Sequence, residues 1–377
     1  MKKNLALLLT LGLIFLSGCW DRQIIEELSI ALCMGIDVAP EPDLFYLTTT
    51  NPTFSDTALK KAKRLVSKGY TLVETFANMQ RQRNHKLVLG QVASLVFSEE
   101  AAKEGLLNRI LLELDQIRDV DPDVFIMIVR GASAREVLYL EPEEEARVAR
   151  YLSDLIDKNI ENGTIPRVTA ANYWFSHDTV GIDSVVPVIE LAGSEEKKKG
   201  VIITGLAAFD DSGKMKGVLS DQQAVHFLFL TGQGKKITFA TKLNFEGKLR
   251  DVSMYIKKAS PKIKARVEGG KPVIAIKLEI EVDIIDIVWN VDVTKKEDAG
   301  EVIAKALARD IQGNALKMIS QTQDWGTDIL GLGQHVRVRD PKWFKGADWI
   351  KEYPKCEISL EVKVKINRIG TVTNPEV

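Results

Sequence analysis

Strict alternation of apolar and polar side chains over the last third of the chain is the strongest constraint on its fold. Val252, Met254 and Ile256 alternate with Asp251, Ser253 and Tyr255, and Ile263, Ala265 and Val267 alternate with Lys262, Lys264, Arg266 and Glu268. Gly269-Gly270 is a two-residue hairpin signal, and Ile274, Ile276, Leu278, Ile280, Val282 and Ile284 follow, interleaved with Lys277, Glu279, Glu281 and Asp283. The pattern returns from Cys356 to Ile366. Neighbouring side chains of a strand point to opposite faces, so each run has one buried and one wet face, as in an antiparallel sheet. Between the last two runs, Ile303, Leu307, Ile311, Ala315 and Met318 form one helical stripe. Thr294 and Glu297 make a capping box at its start. A helix over 295–321 is about 40 Å long at 1.5 Å per residue. Laid across the apolar face of the sheet, it gives an α+β layer.

The first half mixes helices and strands. Ile30–Asp37, Leu44–Thr50 and Lys86–Phe97 read as strands, and Val124–Val129 is a continuous apolar run that suits a central strand. Helical spacing marks Thr71–Arg83, and a helix capped by Ser98 carries Leu106, Ile110, Leu114 and Ile117 on one face. Glu143–Lys158 reads as a charged helix with an acidic first turn, and Thr169–Ser176 as a short one. Val186–Gly200 contains Pro187 and the run Glu195-Glu196-Lys197-Lys198-Lys199, with no surviving apolar period. A boundary placed there divides the chain into a mixed α/β part, 19–193, and an α+β part, 200–377, which a further division near 235 would split.

Residues 1–18 are set apart by a different pattern. Lys2 and Lys3 precede an uncharged apolar run from Leu5 to Leu16, and Leu16-Ser17-Gly18 leads into Cys19. This is an export signal followed by a pattern resembling the bacterial lipoprotein box, with Cys19 as the acylated mature N-terminus. An ordinary signal peptide with a stray cysteine is the alternative. A membrane span needs roughly 17–25 apolar residues, and this run is shorter. Without Lys2 and Lys3 the processed chain carries 49 basic and 52 acidic side chains. Such a balance gives no overall footprint for nucleic acid or for an anionic headgroup surface. Cys33 and Cys356 fall among strand-like apolar residues, where a free buried thiol is the usual occupant. A bridge between them stays open outside the cytosol, although two cysteines make no disulfide framework.

Motifs for chemistry are missing. His85, His177, His226 and His335 lie at no metal-ligand spacing, so no metal or other cofactor is expected. No G-x-S-x-G elbow occurs. Gly232-Gln233-Gly234-Lys235 lacks the spacing of a phosphate loop, and Gly331-Leu332-Gly333 lacks the third glycine of a dinucleotide site. Trp174, Trp325, Trp343 and Trp349 read as core or interface anchors, because no basic stripe interleaves with them. The chain does not read as an enzyme.

Three segments together resemble the Ger(x)C family, the lipoprotein C subunits of GerA-type nutrient germinant receptors in spore-forming bacteria. They are Gly18-Cys19-Trp20-Asp21 with Glu26-Glu27-Leu28 and Gly35-Ile36-Asp37; Gly205-Leu206-Ala207-Ala208-Phe209 with Lys214–Ser220; and Asp328-Ile329-Leu330-Gly331-Leu332-Gly333 before the terminal strand. Two departures from the family pattern are Ile24, where an acidic residue is common, and Leu332, where an aromatic is usual. The resemblance implies a structural or interaction role in nutrient-triggered germination at the outer face of the inner spore membrane. It also implies an integral A subunit and a transporter-like B subunit as partners. It carries over one functional residue, Cys19, as the lipid attachment site. The competing reading is a solute-binding lipoprotein of an ABC transporter, which would need two lobes of alternating βα units around a cleft.

Overall fold

The computed structural model describes residues 27–373 except 54–61, 118–119, 144, 146, 195–196, 246–247 and 289–298. The chain opens with β1 (Leu28–Ile30), β2 (Cys33–Val38), β3 (Phe45–Pro52), β4 (Ala62–Gly69), α1 (Leu72–Gln80), β5 (Lys86–Val88) and β6 (Ser94–Ser98). It continues through α2 (Glu99–Lys103), α3 (Leu106–Asp115), β7 (Phe125–Val129), α4 (Ala134–Leu138), α5 (Val148–Glu161) and α6 (Ala170–His177). Then come β8 (Val185–Ser194), β9 (Lys197–Phe209), β10 (Met215–Ser220) and α7 (Asp221–Leu230). The last part holds β11 (Ile237–Phe245), β12 (Lys248–Glu268), β13 (Lys271–Val288), α8 (Ala299–Trp325), α9 (Leu332–Arg339), α10 (Pro341–Gly346), α11 (Trp349–Glu352) and β14 (Glu357–Thr373).

Eight strands form the first sheet in the order β10-β9-β8-β7-β6-β2-β3-β4. Its centre is parallel, from β2 through β6 and β7 to β8, and its flanks are antiparallel. Parallel neighbours need a crossover, which α2 with α3 and then α4 to α6 supply. Those helices cover both faces, so β6 and β7 are buried along their whole length. Leu95 and Phe97 join Ala101, Leu107 and Ile110 on one side, while Val96 joins Val137, Val148 and Leu152 on the other. β1 and β5 form a separate parallel pair.

The second sheet runs β11-β12-β13-β14. The period-2 runs form it as expected, and Gly269 and Gly270, both at positive φ, make the tight turn between β12 and β13. Ile303, Leu307, Ile311, Ala315 and Met318 of α8 are all buried in the core that also holds the inward side chains of β12, β13 and β14. The molecule is α+β, with this one refinement: β11 to β13 are antiparallel, but β14 joins β13 in parallel. The long helix carries the chain back along the sheet, so the returning strand enters in the same direction as the one it left. The expected capping pair Thr294 and Glu297 lies outside the described residues.

Four local readings change. The helix expected from Glu143 begins at Val148, following Arg147, whose backbone is extended. The helix expected after Ser98 is two helices, broken at Gly105, which sits at φ +83°. Lys86–Phe97, read as one strand, divides into β5 and β6, which belong to different sheets. Val186–Gly200, read as patternless, falls largely in β8 and β9, which pair antiparallel; Pro187 lies in β8 opposite Leu206. β9 and β10 thereby extend the sheet begun by the first half. β11 had no expectation at all.

Candidate functional site

Two aspartates of the family-like segments, Asp37 and Asp328, accept backbone hydrogen bonds at helix starts. Asp37, at the end of β2, is buried and accepts from Ala134 N at 2.7 Å and Arg135 N at 2.9 Å. Those amides begin α4, where unpaired N–H groups and the helix dipole favour a carboxylate. Burial nevertheless raises the Asp37 pKa, against the effect of both donors.

Asp328 plays the same part more completely. It follows α8, is buried, and accepts from Leu332 N at 2.9 Å through Oδ1. Its Oδ2 accepts from Gly333 N at 2.7 Å and from Trp349 Nε1 at 3.0 Å. The Trp349 ring in turn packs on Phe344 and Tyr353, and the Tyr353 hydroxyl pairs with Thr322 Oγ1 at 2.7 Å. The short helices after α8 are thus tied back to its last turns.

Asp183 brings in the first half. Its N–H donates to the Asp328 carbonyl at 2.9 Å, and its Oδ2 accepts from Asp328 N at 2.6 Å. The tripeptide Gly-Ile-Asp occurs at 35–37 and again at 181–183, and both aspartates accept backbone amides. Backbone approach is equally close beside the pair. A Cβ on Gly333 would stand 2.6 Å from Gly181 Cα and 2.6 Å from the Trp349 ring. Gln334 donates its side-chain amide to the Val180 carbonyl. We call this arrangement the clasp.

Burial pushes the Asp183 carboxyl up to about 7, with the Asp328 charge adding to it. Asp328 is pushed up to about 6, burial outweighing its three donors. A cleft of about 570 Å³ adjoins the clasp, lined on one side by Arg167, Asn172 and Asp183 and on the other by Thr231, Ile263 and His335. Both Asp328 side-chain oxygens are occupied by donors, and they join the start of α9 to Trp349. Among the described residues, no group of three His, Cys, Asp or Glu side chains is placed to hold a metal ion.

The remaining sequence candidates separate from the clasp. Cys19, Trp20 and Asp21 lie outside the described residues. Cys33 and Cys356 are free and buried, each thiol pushed up to about 12 by desolvation. In the second family-like segment, Gly205 sits at φ +154°, and a Cβ there would stand 1.9 Å from the Leu219 carbonyl oxygen. That position lets β9 and β10 pair, and it admits no side chain. His226 is a packed helix residue, its Nδ1 against the Gln222 carbonyl at 2.7 Å and its pKa lowered by burial. Of the tryptophans, Trp349 belongs to the clasp. Asp183 was missed by sequence reasoning; the repeated tripeptide was the available signal.

Comparison with known proteins matches this architecture. The domain described as "Spore germination protein N-terminal domain" matches residues 21–191, and "Spore germination B3/ GerAC like, C-terminal" matches residues 204–370. Spore germination protein KC of Bacillus subtilis is 25% identical over 405 aligned residues, covering 98% of this chain and 97% of that protein. Spore germination protein GerQC of Bacillus cereus is 24% identical, covering 95% of this chain and 96% of its own. The crystal structure of the GerBC protein superposes with a TM-score of 0.59 at 14% identity, covering 90% of this chain and 99% of that one, so the fold is shared. With both domains matched in order along nearly the whole chain, this protein belongs to the Ger(x)C family of spore germination proteins.

Proposed function

We propose that the chain is the lipid-anchored C subunit of a nutrient germinant receptor, with a structural and interaction role in triggering germination. The observation that carries this reading is the end-to-end match to both family domains. Diacylated Cys19 holds the folded part at the outer face of the inner spore membrane, where an integral A subunit and a transporter-like B subunit are its partners. One acyl chain binds a bilayer marginally and two bind it stably. Tethering also raises the local concentration of the folded part near its partners. Parts 19–193 and 200–377 act as two units held together by the shared eight-stranded sheet and the clasp. No helix among the described residues is long and apolar enough to cross a membrane. The solute-binding alternative expects two βα lobes, whereas the second sheet is built mainly from antiparallel hairpins.

The test is genetic and biochemical. Deleting the gene abolishes the response of spores to the cognate nutrient, and restoring it recovers the response. An unchanged response, with no second copy of the gene present, refutes the receptor role. Cys19→Ala moves the protein out of the membrane fraction; retention there refutes the anchor.

A further inference from the structure

A cationic turn stands beside the point where the described chain begins. From Thr75 to Ser98 the sequence has no acidic residue, yet it holds Arg81, Arg83 and Lys86. Arg81 and Lys86 are exposed and Arg83 is half-buried. The turn is held in shape at both ends. Gln80 donates to the His85 carbonyl and accepts from Leu87 N, each at 2.9 Å, and Gln82 donates to the Asn78 carbonyl at 3.3 Å. At the other end of α1, Lys68 and Arg109 are paired with Glu41 and Glu113. Among the described residues, Arg81, Arg83 and Lys86 meet no carboxylate; the Arg81 guanidinium donates to the Asn78 side chain. Glu27 directly precedes Leu28, the β1 partner of Lys86, and the turn carries three cations against it.

The location gives this charge a partner. Lys86 is directly opposite Leu28 in the β1–β5 pair. Nine residue steps separate Leu28 from Cys19, a reach of at most about 32 Å. Leu28, Ile30, Leu87 and Val88 are half-buried on the same small sheet, an apolar margin next to the cationic turn. We propose that the Arg81–Lys86 turn is a membrane-contact surface that binds anionic phospholipid headgroups. This contact rests on acylation of Cys19 to bring the turn to the bilayer. The two together orient the molecule, with β1, β5 and the end of α1 facing the lipid. The overall charge balance conceals this surface, because the excess is confined to one turn.

The experiment uses the processed chain, residues 19–377, with Cys19→Ser so that no acyl chain contributes. Co-sedimentation is measured with vesicles of phosphatidylcholine alone and with vesicles containing 30% phosphatidylglycerol. Binding is expected only to the anionic vesicles and should fall as salt rises. Replacing three charges with Arg81→Gln, Arg83→Gln and Lys86→Gln lowers the partition coefficient about 100-fold, at about fivefold per cationic residue near the surface. The equal charge change Lys262→Gln, Lys363→Gln and Lys365→Gln, on the second sheet, leaves it within a few fold. Equal binding to both vesicles, or equal losses in the two triple variants, overturns the proposal. A separate arm uses acylated wild-type chain on neutral vesicles. Its failure to bind counts against the Cys19 anchor and leaves the headgroup contact to be judged by the first arm.

Discussion

Replacing Gly333 by alanine tests the clasp because helix propensity and packing predict opposite signs there. Gly333 lies in α9, and an alanine in a helix is favoured over glycine by about 1 kcal/mol. Against this, its Cβ would stand 2.6 Å from Gly181 Cα and 2.6 Å from the Trp349 ring. Carbon atoms prefer roughly 3.5–4.0 Å, so each contact must open by about 1 Å. One neighbour is backbone, and the other is a ring held by the Asp328 carboxylate. Overpacking of this kind costs about 1–3 kcal/mol. Displacing Trp349 from a charged acceptor adds about 1.5–3 kcal/mol. Less the propensity gain, Gly333→Ala should destabilise by roughly 2–5 kcal/mol. Gly313→Ala is the control, in α8 with nothing within 4 Å of its Cβ, and it should stabilise by about 1 kcal/mol. Urea unfolding of both variants, followed by tryptophan fluorescence, gives the comparison. If Gly333→Ala stabilises the protein like Gly313→Ala, or costs less than 1 kcal/mol, the two segments are not locked together as described.

Asp183 holds its proton up to about pH 7, against 3.8 in an unperturbed chain, so the folded state binds that proton more tightly. The stability it provides is therefore complete below pH 4 and is lost as pH rises to 7, by up to about 4 kcal/mol at 1.36 kcal/mol per pKa unit. Any cost of Asp183→Asn should consequently shrink between pH 4 and pH 8; urea midpoints for both proteins across that range check it, and a constant difference refutes it. Gly205→Ala places a Cβ 1.9 Å from the Leu219 carbonyl oxygen and should detach β10, which would show as loss of protein from the soluble fraction or as protease cleavage near 210–220. A thiol reagent should find no reactive cysteine in the native acylated chain and two after unfolding, since Cys33 and Cys356 are buried and poorly ionised. A third thiol would mean that Cys19 is unmodified.

Regular periodicity carried most of what was readable in advance. The β12–β13 hairpin, the stripe on α8 and the burial of β7 all express a repeat that one element can show by itself. Departures arose where a partner decides the structure. β14 is parallel because a helix intervenes, and Pro187 sits in a strand because Leu206 pairs with it. The clasp is harder still: Asp183 and Asp328 are 145 positions apart, and neither lies in a periodic run. Asp328 was noticed only as part of a family-like segment, whose meaning becomes physical once its oxygens are seen on α9 and Trp349. Arg81, Arg83 and Lys86 were visible, but nothing in one dimension placed them next to Leu28.

The parallel seam has a consequence for the order in which this molecule can assemble. Val273 pairs with Glu357 and Ile284 with Ile369, contacts spanning about eighty residues that include all of α8. Such pairings must close a long loop before they return any energy, which slows folding. Until the last residues arrive, the entire edge of β13 has unpaired backbone groups, the surface on which strands of separate chains aggregate. Newly made chains therefore pass through a vulnerable interval that ends only when the C-terminal strand docks. Ending the chain before Glu357 would remove the whole partner strand and extend the interval indefinitely.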